Sequence, residues 1–231
     1  MKYDKTIVCL ARSRKFNGTC VAGKEKTKSG FGPWIRPISS RPTGELFGPE
    51  MQYFNGNSPQ LLDLIEIILT EHRPTSYQSE NHVIDDKYYW YKRGQLKWPE
   101  LESIRDNPSG RLWIDGYHSY NGVNDRIPER IADEMKDSLC LVKAENMNIF
   151  VSEELGGLKV RAQFSLNNNQ YRLVVTDPEI ERFFQTKGCG DYPSRETPAF
   201  LCVSLGEPYR GYCYKLVASI FVPNLARYQS E

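Results

Sequence analysis

From Lys5 onward, short strand-like runs alternate with turn residues, and this punctuation constrains the fold more than any other feature of the chain. "KTIVCLA", "GTCVAGKE" and "PWIRPIS" read as three strands, with the glycine-bearing "KTKSGFG" joining the last two. "LLDLIEIIL" fits neither strict alternation nor a helical stripe. Pro59 and Pro74 bracket it closely and isoleucines enrich it, so it is assigned as a buried strand. "KYYWYKRGQLKW" follows as an aromatic hairpin or terminal strand around Gly94.

The character changes between Pro99 and Ser138. "PELESIRDNPSGRLW" and "IPERIADEMKDSL" predict short helices, the second with Pro128 in its first turn, on either side of the turn-rich "DGYHSYNGVND". Strands then resume in "LCLVKAENMNIFVS", "LKVRAQFSL" and "QYRLVVTD", the last two joined by an asparagine turn from Asn167 to Asn169. "DPEIERFFQTK" predicts a helix capped by Asp177 with Pro178 at its first position. "AFLCVSLGEPYRGYCYKLVASIFV" closes with two strands joined through "GEPYRG". Each half is a small strand set of about five members, without a residue-level repeat.

The run Ile7 to Ala11 is too short for a signal peptide, and Asp63 and Glu66 interrupt the longest apolar stretch, so no membrane segment is expected and the cytoplasm is the expected location. The six cysteines contain no CxxC pair and the three histidines no close pair. Neither a zinc site nor a disulfide framework is therefore expected, and Cys9, Cys202 and Cys213 read as small buried hydrophobes. Net charge is +1. Its distribution is uneven: residues 1–43 hold ten lysines and arginines against Asp4 and Glu25, a net +8, which leaves −7 for the remainder. Such asymmetry fits a polyanionic partner on one face. It fits equally a basic hairpin whose charges meet acidic groups of the same molecule.

"TIVCLARSRKFNGTCVAGKE", "GPWIRPIS", "LLDLIEIIL" and "SLGEPYRGYCYKLVASI" resemble the bacterial and archaeal proteins called dual OB domain-containing proteins. The resemblance implies a mostly β chain with minor α: two small OB-type β-barrels, residues 1–98 and 139–231, joined by a partly helical connecting arm over residues 99–138. It also implies nucleic-acid binding and supplies no catalytic residues.

Candidate contacts follow from residue chemistry. Arg12, Arg14 and Lys15 flank the first turn, where arginine forks and a lysine ammonium suit phosphate oxygens and Ser13 adds a neutral donor. Trp34 and Arg36 stand two apart in a strand, so an indole and a guanidinium share a face, an arrangement that serves base stacking or a core tryptophan beneath a cation. In "YYWYKR", alternation places Tyr88 and Trp90 on one face and Tyr89 and Tyr91 on the other, one pair in the core and the other exposed. No phosphate loop, nucleophile elbow or HExxH helix is present, and Cys189, beside glycines and Lys187, has no base near it in sequence. The resulting expectation is non-catalytic binding of single-stranded DNA, RNA or a nucleotide-derived ligand, with no cofactor and no metal. The alternatives are a protein-interaction module that docks a catalytic partner and, third, an enzyme acting on nucleic acid.

Overall fold

The computed structural model describes residues 2–193 and 199–223. The chain folds as two compact units: residues 1–104 with 136–138, and residues 105–135 with 139–231. The segment 99–138, expected as a separate arm, is therefore divided between the units.

The first unit contains β1 (Tyr3–Lys15), β2 (Gly18–Thr27), β3 (Gly30–Ile38), β4 (Asp63–His72), β5 (Asn81–Ile84), β6 (Tyr91–Gln95) and the single-turn helix α1 (Leu101–Ile104). Its strands lie in the order β1-β2-β3-β5-β4, and β4 returns to pair with β1, which closes a five-stranded barrel. Every pairing is antiparallel except β3 with β5. β1 makes the closure possible, because residues 3–8 pair with β4 while residues 7–15 pair with β2. A bulge between Cys9 and Ala11 turns the strand from one neighbour to the other. The alternating burial of β4 sends Ile65, Ile67 and Leu69 inward, to meet Ile7, Cys9, Val21, Ile35 and Leu46.

The second unit contains β7 (Arg126–Pro128), the single turn α2 (Glu129–Ala132), β8 (Leu139–Glu154), β9 (Gly157–Leu166), β10 (Asn169–Val175), α3 (Pro178–Lys187), β11 (Gly190–Pro193), β12 (Ala199–Tyr209) and β13 (Tyr212–Phe221). Its barrel has the order β8-β9-β10-β13-β12, closed by β12 on β8, with β10 and β13 as the parallel pair. Strand for strand this is the topology of the first barrel. β8 also serves two neighbours within the barrel, residues 139–144 pairing with β12 and 145–154 with β9, across an irregularity between Glu145 and Asn148, and its residues 148–151 pair in addition with β11. The Asn167–Asn168 turn between β9 and β10 has positive φ at both positions, which asparagine tolerates. α3 starts where expected, with the Asp177 carboxylate accepting the amides of Glu179 and Ile180.

The "DGYHSYNGVND" region is a structural part of this barrel. β10 and β13 are directly paired only at residues 174–175 and 216–217. Below that point Val123 bridges Arg172, and β7 pairs with Tyr212–Tyr214, so residues 123–128 fill the wedge between the parting strands. The buried Lys215 ammonium fastens the preceding stretch by donating to the Ile114 carbonyl at 2.6 Å and the Asp115 carboxylate at 3.0 Å.

Tight curvature of the first barrel brings β1 and β2 close at Gly23, where a Cβ would lie 1.8 Å from the Val8 carbonyl oxygen. Gly23→Ala is expected to cost about 3 kcal/mol or more in denaturant unfolding of the first unit. Gly48→Ala, in open space, is expected to change it little. Equal effects at the two positions would contradict the close approach.

Candidate nucleic-acid interface

The β1–β2 hairpin ends in Arg14, Lys15, Phe16, Asn17 and Gly18. Arg14 is exposed, Lys15 half-buried, and Phe16 at the tip is 61% exposed with positive φ, its ring 6.0 Å from the Lys15 ammonium. Register decides which residues of "RSRK" face outward. Arg12 pairs with the core residue Val21, is half-buried, and directs its charge at Cys9 and Tyr53. Ser13 is buried. Of the four expected contacts in this stretch, the hairpin therefore presents Arg14 and Lys15.

The expected Trp34–Arg36 surface pair takes a different form. Ile35 points into the barrel, so both side chains do point outward, but Arg36 is only 3% exposed. Its guanidinium meets the Glu80 carboxylate at 2.8 Å and donates to Ser138 Oγ at 2.8 Å and Asn81 Oδ1 at 3.3 Å. Ser138 in turn donates to Glu80. This network pins residues 136–138 to the first barrel, so Arg36 is a structural ion-pair partner rather than a ligand contact. Trp34 is half-buried, and Lys24, its cross-strand neighbour, sets its ammonium 5.5 Å from the indole centroid while donating to the Ile104 carbonyl at 2.7 Å.

The aromatic run also departs from expectation. Residues 85–90 form a turn and not a strand, so alternation fails: Tyr88, Tyr89 and Tyr91 are all exposed, and Trp90 alone is buried in the core at 1% exposure. Tyr88 lies on the surface with the Lys2 ammonium 4.9 Å from its ring. Other such couples were not foreseen. Arg41 stands 4.6 Å from the Phe47 centroid, Lys26 4.6 Å from Phe31, and Arg93 5.3 Å from Tyr91. Their signal in the sequence is a cation within a few residues of each ring, which is too common a pattern to select them. A groove of about 590 Å3 opens on the same unit between residues 53–60 and β6. Phe54, 82% exposed and edge-on to Tyr89 at 5.6 Å, and Tyr91 supply its exposed rings, with Tyr53 and Trp90 buried beneath.

Much of the early positive excess is neutralised within the unit. Lys2 pairs with Asp85, Lys5 with Glu25, Arg36 with Glu80 and Arg41 with Glu50. The first unit still holds 16 basic against 13 acidic residues, whereas the second holds 14 against 16. The second unit's hairpin in the corresponding place, β8–β9, reads Glu153-Glu154-Leu155-Gly156-Gly157, with Leu155 fully exposed.

Elsewhere on the first barrel His72 and His82 stack at 4.5 Å, and the Tyr3 hydroxyl and His82 Nδ1 share a hydrogen bond of 2.7 Å. Burial, with His72 and Lys5 beside it, lowers the His82 pKa to about 4. No group of three or more metal-ligating side chains occurs among the described residues. Cys9, Cys140, Cys202 and Cys213 are buried, and burial pushes the Cys9 thiol up to about 12. No helix among the described residues is long and apolar enough to cross a membrane.

Two five-stranded barrels with one parallel closure each, in the strand order 1-2-3-5-4-1, define the OB class. The family model described as dual OB-containing domain matches residues 5–220, and the chain belongs to that family. No curated protein matches it.

Two outcomes follow. Arg36→Ala, which leaves Glu80 buried without its partner, should cost about 3–5 kcal/mol of stability, measured by denaturant unfolding. A near-neutral change would restore Arg36 as a surface residue. His82 gives the second: its neutral form is favoured in the folded state, so stability holds above its ordinary pKa of 6.5 and is lost as pH falls through 6.5 towards about 4, by up to roughly 3 kcal/mol. His82→Gln should flatten that part of the pH profile relative to the parent, and identical profiles would contradict it.

Proposed function

We propose that the chain binds single-stranded nucleic acid or a nucleotide-derived ligand through its first barrel, without chemistry of its own. The observation that carries this reading is the position of the basic hairpin. Arg14 and Lys15 end the first strand of an OB barrel and Phe16 begins the turn to the second, the place of one of the two loops with which such barrels grip oligonucleotides. A lysine and an arginine there reach phosphates, and an exposed phenyl ring offers a face to a base. The net positive first unit adds long-range attraction.

A second reading, a protein-docking module, draws support from the second barrel, whose equivalent loop presents an exposed leucine between acidic residues and glycines. Such a tip is better suited to an apolar socket than to a phosphate. The two readings are compatible, since each uses a different barrel.

The test is a salt series. Each phosphate neutralised on a single strand adds about −0.7 to the slope of log affinity against log salt. Fluorescence anisotropy with short single-stranded DNA and RNA should show that dependence. The Arg14→Ala/Lys15→Ala double variant should weaken binding and make the slope shallower by about 1.4. Unchanged affinity and slope in the folded double variant would sink the hairpin assignment.

A further inference from the structure

The groove between residues 53–60 and β6 has a composition that the hairpin lacks. Its wall carries the exposed rings of Phe54 and Tyr91, and its floor carries Asp63, a carboxylate with no solvent exposure. Asp63 Oδ2 accepts the Tyr53 hydroxyl at 2.8 Å and the Gln60 amide at 3.0 Å. Oδ1 is met by the Lys92 ammonium at 2.5 Å and makes no other hydrogen bond. Lys92 is itself 44% exposed, so the partner of a fully buried carboxylate also faces the groove and solvent. Trp90, on the same groove, has a buried indole N–H without an acceptor. Unsatisfied buried donors are rare in native folds and call for an explanation.

Charge decides what kind of ligand fits. The two cations of the groove are both engaged with carboxylates, Lys92 with Asp63 and Arg93 with Glu66 through two hydrogen bonds of 2.9 and 2.7 Å. The groove therefore offers no surplus positive charge to a phosphate. It offers aromatic faces together with the half-exposed Lys92 ammonium, a donor held in place over the buried Asp63 carboxylate. Every nucleobase carries a π face and an edge on which donors and acceptors alternate. A phosphodiester has neither.

We propose that this groove is a base pocket: it holds one unstacked nucleobase of the bound strand against Phe54 and Tyr91, with the base edge turned to the Lys92 ammonium that Asp63 holds in place. The inference rests on the nucleic-acid reading above and divides the work within the first barrel. The hairpin takes phosphates and carries the salt dependence, and the groove takes an uncharged base and carries little of it.

The test pairs a protein change with a ligand change. A short single strand and the same strand made abasic throughout have equal phosphate charge. The parent protein should bind the abasic strand more weakly. Phe54→Ala and Tyr91→Ala should each weaken binding of the intact strand by roughly 5- to 100-fold, the loss expected for one base–aromatic stack, with the salt slope unchanged. Neither variant should change binding of the abasic strand. Both side chains are exposed enough for the fold to survive, which unfolding curves would verify. Lys92→Arg, which keeps a cation on the buried Asp63 but changes the geometry of the edge contact, should alter the affinity differences among homopolymeric strands, and parent-like differences would overturn the edge contact. Equal parent affinity for intact and abasic strands would overturn the base pocket, and the Phe16 base contact with it, while leaving the phosphate contacts of Arg14 and Lys15 in place. A Phe54→Ala loss of the same size on both strands would also overturn the base pocket. No binding of either strand at any salt would overturn both.

Discussion

Both barrels depend on a first strand that is long enough, and bent enough, to serve two partners. β1 and β8 hold the fourth strand of their barrel with one half and the second strand with the other, and an irregular step in each marks the exchange. Without that bend the strands would form an open sheet with two bare edges. With it, the far half of the strand is carried beyond the closed part of the barrel, and the hairpin it forms with the second strand projects as a loop. Where the loop proposed to hold the ligand sits is thus a consequence of how the barrel closes. Close approach at Gly23 belongs to the same constraint, since a side chain there would push β1 away from β2.

Identical topology leaves the two barrels to differ in their side chains. One hairpin ends in Arg14, Lys15 and Phe16, the other in two glutamates, a leucine and two glycines. The first unit is net positive and the second net negative. Even in the first unit four of the ten early cations, Lys2, Lys5, Arg36 and Arg41, are paired with carboxylates, three of them with partners beyond residue 43. Of the two explanations of the charge asymmetry drawn from sequence, internal pairing holds for Lys2, Lys5, Arg36 and Arg41, and a polyanionic partner is what the proposed function assigns to the hairpin that carries Arg14 and Lys15.

Local signals in the sequence carried the elements well. Turn residues and apolar runs located most of the strands, the Asn167–Asn168 turn and the Asp177-Pro178 cap were read correctly, and Cys9, Cys202 and Cys213 are buried as expected, but β5, the short strand that completes the first barrel, was missed in favour of the aromatic run, and β7 and β11 were not foreseen. What sequence could not reveal depends on partners distant in the chain. Arg36 resembles a surface arginine until Glu80 and Ser138 are folded against it. Trp90 loses its expected partner face because residues 85–90 turn instead of extending. The "DGYHSYNGVND" stretch reads as a linker because its role, filling the wedge between β10 and β13, is visible only once those strands have parted. The groove was missed because Phe54, Asp63 and Lys92 lie in three separate segments, none of them distinctive.

The most direct measurement of the central claim, that the first barrel holds nucleic acid, is photo-crosslinking of a bound single strand followed by mass spectrometry of the crosslinked peptides. The account places crosslinks on the peptides containing Arg14 to Gly18 and Phe54 or Tyr91. Crosslinks concentrated instead on the β8–β9 hairpin around Leu155, with the first barrel unmodified, would contradict it.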